Sequence, residues 1–163
     1  MNHFFNSYLQ TPIGIVEIIA DENSVLAVSF KDDEIENKSI NENEISTNCK
    51  QQLEEYFKAE RKLFDTTINF NGTDFQNKVW TELQNISIGK TISYLQLAKN
   101  LGDAKCIRAA GTANGKNPFA IIVPCHRVIG NDGKLVGYAG GLWRKQWLLE
   151  HEAKMVNGVS TLF

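Results

Sequence analysis

The N-terminal third carries three short segments rich in apolar, β-branched and aromatic residues, at residues 4–9, 13–20 and 25–30. The turn-forming pairs Thr11-Pro12 and the run Asp21-Glu22-Asn23-Ser24 separate them, a pattern that predicts an antiparallel meander. Residues 31–48 are rich in Asp, Glu, Asn and Ser and read as an exposed loop or a marginal helix. From residue 49 to 58 the apolar positions Leu53, Tyr56 and Phe57 form a helical stripe, on which Cys49 packs or points to solvent rather than reacts. Residues 68–70 look extended, and Asn71-Gly72 marks a boundary.

Beyond that boundary the period becomes helical. Thr73-Asp74-Phe75-Gln76 is a capping-box pattern, and Phe75, Val79, Trp80 and Leu83 fall on one face of the helix it opens. Ser93-Tyr94-Leu95-Gln96 is a second such pattern, opening a short helix to about Leu101. Gly102-Asp103 turns the chain, and a helix over residues 104–114 follows. Helix, tight turn, helix is the arrangement that docks on nucleic-acid duplexes, and also that of an αα-hairpin that only packs. The second helix is nearly bare around Arg108, the one long cationic side chain amid the small residues Ala109, Ala110, Gly111, Ala113 and Gly115. A bare helix with one Arg suits a narrow minor groove, where a side chain inserted into the stack frees a base. On its own, Arg108 could equally be an exposed helix charge. Helical spacing assigns Trp80, Trp143 and Trp147 to core or interface packing.

Ile121-Ile122-Val123-Pro124-Cys125-His126-Arg127-Val128 is a strand-like apolar run that ends at a cysteine. Pro124 fixes its own φ and pushes Val123 toward extended geometry, so the thiol sits at a rigid corner. Sulfur is nucleophilic as thiolate, and an isolated thiol titrates near ~8.5. An adjacent imidazole and the nearby cation of Arg127 are groups that activate it. A buried structural cysteine beside an ordinary histidine is the competing reading of the pair taken alone.

Composition narrows the picture. The 163 residues are 42% hydrophobic and 22% charged, the make-up of a soluble globular chain with room for a real core. No apolar run approaches the length of a membrane span, and Met1-Asn2-His3-Phe4-Phe5 carries no signal-peptide pattern. Three cysteines without CxxC spacing argue against a disulfide framework or zinc knuckle, and for a reducing, cytoplasmic setting. The net charge of −2 hides an asymmetry: residues 1–72 hold thirteen acids and six bases, and residues 73–163 hold six acids and eleven bases. A basic half hints at a polyanionic partner, although a solvated face explains charge alone.

Together, Phe75-Gln76, Val79-Trp80, Ile92-Ser93-Tyr94, Arg108-Ala109, Asn117-Pro118, Pro124-Cys125-His126-Arg127-Val128 and Tyr138-Ala139-Gly140-Gly141 resemble the O6-alkylguanine-DNA alkyltransferase family. The likeness runs in family order through residues 73–152. It is looser in the N-terminal half, through Thr11-Pro12-Ile13-Gly14 and Glu55-Tyr56-Phe57. It implies an α+β fold in two domains. Residues 1–72 would form a small ribonuclease-H-like antiparallel sheet with a helix. Residues 73–163 would form a mostly helical, winged-helix-like helix-turn-helix domain for DNA binding and alkyl transfer.

The same resemblance implies function and site. The partner would be double-stranded DNA containing O6-alkylguanine, O4-alkylthymine remaining open, with no cofactor, metal, membrane or obligate protein partner. The chain would act as a monomer and react once. Cys125 would take the alkyl group, linked through a water to His126 and on to Glu152, which would favour a protonated imidazole beside a thiolate; Glu150 is the rival carboxylate. Tyr94 and the backbone N–H of Ala139 would donate toward the base, in a pocket shared with Val128, Tyr138 and Gly140. Arg108 would fill the gap left by the extruded base, and Asn117 would tie the recognition helix to the cysteine loop. Ser93, Ala109, Ala110, Gly111, Ala113, Lys116 and Arg127 would face DNA. The alternative is a non-catalytic damage sensor, a group that characteristically lacks the cysteine. Cys106, two residues before Arg108, would be a second reactive thiol only if exposed.

Overall fold

The computed structural model describes residues 3–32 and 40–158, so residues 33–39 of the acidic segment lie outside the described residues. The contacts divide the chain into two compact units, Met1–Asn69 with Pro118–Ile122, and Phe70–Asn117 with Val123–Phe163. The sequence places one cut at Asn71-Gly72; the structure adds that five residues from the C-terminal half pack within the first unit.

In the first unit, β1 (Phe5–Thr11), β2 (Gly14–Ala20) and β3 (Val25–Lys31) form the antiparallel meander β1-β2-β3. Gly14, at φ 109, closes the first turn, whose carbonyl accepts from Thr11 Oγ1 at 2.6 Å. Helix α1 (Glu44–Phe57) lies on β1 and β2 and buries Ser46, Cys49, Leu53 and Tyr56, the spacing of a single helical face. It starts five residues before the apolar stripe because Asn43 and Ser46 form a reciprocal capping box. That box lacks the usual Glu or Gln at the third position, so the sequence pattern misses it. Cys49 is wholly buried and its thiol is pushed up to about 12, which leaves it inert. The free edge of β3 is covered: Val25 N–H donates to Thr67, Val28 N–H donates to Pro118, and Ala120 N–H donates back to Val28.

The second unit holds α2 (Asp74–Leu83), β4 (Ile92–Ser93), α3 (Tyr94–Asn100), α4 (Ile107–Gly115), β5 (Val128–Ile129) and α5 (Leu142–Asn157). Helix α2 opens on the expected Thr73/Gln76 box and buries Val79, Trp80 and Leu83. Trp80 Nε1 donates to the Ala113 carbonyl of α4 at 2.9 Å. A Cβ on Gly72 would meet the Trp80 ring at 2.6 Å, so only glycine fits there. Ser93 caps α3, but half of the expected box is absent, because Gln96 Nε2 turns to Asn100. The second helix begins as a 3-10 turn, Ala104–Cys106, before α4 proper. Strands β4 and β5 pair in parallel over two residues each, too short to show as a sequence period.

The apolar run before Cys125 is not a strand. Only Phe119 makes a β-bridge, to Val28, and Ile121 turns the chain at φ 72. The run is apolar because Phe119, Ile121, Ile122 and Val123 are each buried all round, which periodicity cannot distinguish from a buried strand. A branched residue at positive φ stores strain that the surrounding packing must hold.

Candidate active site

Pro124 leads into a 3-10 turn, Cys125–Arg127, in which all three side chains are buried. The amide of Asn117 hydrogen-bonds the Cys125 thiol and donates to the Val123 carbonyl at 2.7 Å. Burial pushes the Cys125 thiol up, and the Asn117 hydrogen bond and the Lys145 charge recover only part of that.

His126 and Glu152 are both fully buried, with Nε2 and Oε2 2.7 Å apart. Burial would raise the Glu152 carboxyl, but His126 and Arg127 override it and hold the group well below the usual carboxylate range. His126 shifts down, since burial outweighs the pull of Glu152. Burial thus favours the neutral form of the imidazole. An ionised Glu152 fixes its tautomer: Nε2 carries the hydrogen and donates, and Nδ1 is left as a base. Among the described residues Nδ1 has no protein partner. The rival Glu150 instead accepts from Gln146 on the exposed face of α5, and His151 stacks on Trp147.

Arg127 points inward, not toward phosphates. Its Nε and Nη2 donate to the two Glu152 oxygens at 2.7 and 3.1 Å, and Nη1 donates to the Ile86 carbonyl at 2.6 Å. Lys145 was not anticipated. Its ammonium is wholly buried and donates to the carbonyls of Val128, Val136 and Gly137 at 2.6, 2.8 and 3.2 Å. Burial lowers it to about 8, with the Cys125 charge acting the other way. Its place was legible, because Lys145 precedes Leu148, Leu149 and Glu152 by three, four and seven residues on one face of α5.

Tyr94, the first residue of α3, packs its ring beside Gly111 and sets its hydroxyl 3.4 Å from the Val136 carbonyl. Burial and the neighbouring Cys125 charge raise its phenol, while the Asn114 amide counters them. Tyr138 is half-buried, and its hydroxyl is sealed from solvent without a protein partner. Burial, then Cys125 and Glu152, hold that phenol well above its ordinary range. Arg144 Nη1 donates to the Gly140 carbonyl at 3.1 Å and shapes the 137–141 turn that presents Ala139. Val128 is buried directly after the cysteine turn.

Helix α4 sorts its small residues by face. Arg108, Ala109 and Lys116 are exposed and Gly111 is half-buried, but Ala110 and Ala113 are buried. Those two alanines are corrected from DNA-facing to packing positions, small so that α2 can approach. Cys106 is half-buried, its sulfur 3.9 Å from the Ala98 carbonyl. Trp143 is 57% exposed, so it is not a core residue; its ring lies over the Arg144 guanidinium at 4.6 Å.

Residues 74–154 match the family model described as "6-O-methylguanine DNA methyltransferase, DNA binding domain", and residues 4–70 match its "ribonuclease-like domain". A methylated-DNA–protein-cysteine methyltransferase of Methanosarcina acetivorans is 43% identical over 152 residues, spanning 91% of this chain and 97% of that one. The chain belongs to the methylated-DNA–protein-cysteine methyltransferase family. Solved members share its α+β fold. The crystal structure of the Mycobacterium tuberculosis O6-methylguanine methyltransferase superposes with TM-score 0.82 at 36% identity, covering 94% of each chain. A structure of the protein from that organism in complex with DNA superposes with TM-score 0.81 at 40% identity, covering 91% of this chain and 92% of that one. Among the described residues no helix is long and apolar enough to cross a membrane.

Proposed function

We propose that this chain repairs DNA by moving the alkyl group of O6-alkylguanine onto its own Cys125. The observation that carries the reading is the buried row Cys125-His126, with the imidazole Nε2 2.7 Å from Glu152 Oε2. The thiol proton passes to His126 Nδ1, through a bridging water as the family resemblance implies. Sulfur then attacks the alkyl carbon in line, the S–C bond forms and the C–O6 bond breaks. The electron pair stays on the base, which takes one proton and leaves as guanine. Tyr94 and the Ala139 N–H face the base and stabilise the charge building on it. Lys145 serves the sulfur in the same way, by favouring its anion.

The second unit carries the DNA contact in this reading. The exposed row Arg108, Ala109 and Lys116, with Ser93 and Gly111 beside it, meets the minor groove, and Arg108 fills the space of the extruded nucleotide. Asn117 ties this helix to the cysteine turn. Pocket walls come from Val128, Tyr138 and Gly140. A thiol that must remain reduced supports a cytoplasmic setting.

Intact mass after incubation with a duplex containing O6-methylguanine tests the reading. One methyl mass gain is expected, and it disappears in Cys125→Ala. Tight binding without a mass gain would favour the sensor alternative, and sulfenic acid under peroxide without alkyl gain would point to a redox thiol.

A further inference from the structure

Arg144 is buried at the start of α5, and the exposed Trp143 ring lies over its guanidinium at 4.6 Å. A cation roofed in this way is little screened by water, so its field acts on the groups beside it. Two hydrogen bonds carry that field along the backbone. Arg144 Nη1 donates to the Gly140 carbonyl at 3.1 Å, and the Gly141 N–H of the same peptide donates to the Tyr138 carbonyl at 2.9 Å. The Tyr138 carbonyl in turn shares its peptide with the Ala139 N–H. A donor placed on a carbonyl polarises the whole peptide and strengthens its N–H, and successive links reinforce one another. The row therefore starts at the guanidinium, crosses two peptides and ends on the Ala139 N–H. The charge is felt beside the row as well: burial and the Cys125 and Glu152 charges raise the Tyr138 phenol, and Arg144 is the influence that opposes them.

As the C–O6 bond breaks, negative charge gathers on the departing base, and fixed donors aimed at that charge accelerate the step. A donor at the end of a chain headed by a cation is stronger than an isolated amide. We propose that Arg144 is a positioning residue for alkyl transfer: its guanidinium, acting through the Gly140–Gly141 and Tyr138–Ala139 peptides, holds and polarises the Ala139 N–H that faces the departing base. This rests on the alkyl-transfer reading. In this scheme Arg144 touches neither the sulfur nor the lesion, so its effect falls on the leaving group and spares the nucleophile and the affinity for duplex. It also accounts for Trp143, a large ring left at the surface where it keeps water off the cation.

Single-turnover methylation of Cys125, read by peptide mass, is measured with two methyl donors, a duplex containing O6-methylguanine and methyl iodide. Both form the same S–C bond, but iodide leaves without help from a hydrogen-bond donor. In Arg144→Met the rate from saturating duplex is expected to fall about tenfold, while duplex affinity and the methyl iodide rate stay within about twofold. Arg144→Lys, which keeps the cation, is expected to hold most of the duplex rate. Arg144→Gln, a neutral polar side chain, takes the place of the Met variant if that one does not fold, with the same losses expected. An unchanged duplex rate overturns the proposal. So does an equal loss with both donors, since Arg144 would then act on the sulfur or on the fold. A rate in Arg144→Lys as low as in the neutral variant also overturns it, because the charge would then not matter. Wild-type protein that takes a methyl group from methyl iodide but never from the duplex sinks the alkyl-transfer reading itself, a result distinct from the other three.

Discussion

The two units bury polar groups in opposite ways. In the first they are neutral and matched: Ser7 bonds Ser46 at 2.9 Å, and Gln52 binds Asn48, Asp65 and Thr66 through both ends of its amide. In the second, Arg127, Glu152 and Lys145 carry charge in the interior. Among the described residues, each buried side-chain nitrogen or oxygen that lacks a protein partner also lies there: Asn114 Oδ1, His126 Nδ1 and Tyr138 Oη. Matched neutral groups add to stability and complete a fold. Interior charges and open acceptors lower stability and supply chemistry, and real proteins break the rules of satisfaction at working sites.

Arg127→Met presses hardest on this contrast. It leaves Glu152 ionised without its clamp and should cost about 3–5 kcal/mol in urea denaturation, with Glu152→Gln in the same chain recovering part of the loss. A cost within error of zero would mean the charged network is not what holds the second unit. Gln52→Leu in the first unit should cost less, about 1–3 kcal/mol, while methyl transfer per folded molecule stays unchanged.

The smallest effect is on pH. The depressed His126 means the native state binds fewer protons than the unfolded chain between its folded value and the ordinary one. The stability it contributes is present above about 6.5 and is lost as pH falls toward the folded value, by about 1.4 kcal/mol per unit of depression. Glu152 acts with the same sign at lower pH: its contribution is complete above the ordinary carboxylate range and is lost as pH falls through its depressed value. His126→Gln should flatten the upper limb of a stability-versus-pH curve and leave the lower one. An unaltered upper limb would assign it to another group.

Much of this was legible in the chain. The meander shows because each of its strands is bracketed by turn residues, and α2 shows because Thr73 and Gln76 announce it. Cys125, His126 and Glu152 were readable through the motif that contains them. Arg127 was misread because charge in a sequence suggests solvent, and only three-dimensional proximity to Glu152 and the Ile86 carbonyl reveals an internal clamp. The start of α1 was lost because Asn43 and Ser46 cap each other in an unusual pair. Asn114 went unnoticed because its neighbours Ala110 and Ala113 make that face look like plain packing. Long-range geometry, not local propensity, separates the two cases.

The burial of Cys125 also guards it. Under the proposed reaction each molecule acts a single time, so an accidental encounter with a peroxide or a stray electrophile would disable it for good. Buried among its neighbours, with burial pushing its thiol up, Cys125 is a poor target for such reagents. Under that reaction, the walls that shut out stray reagents keep the sulfur in reserve for the lesion.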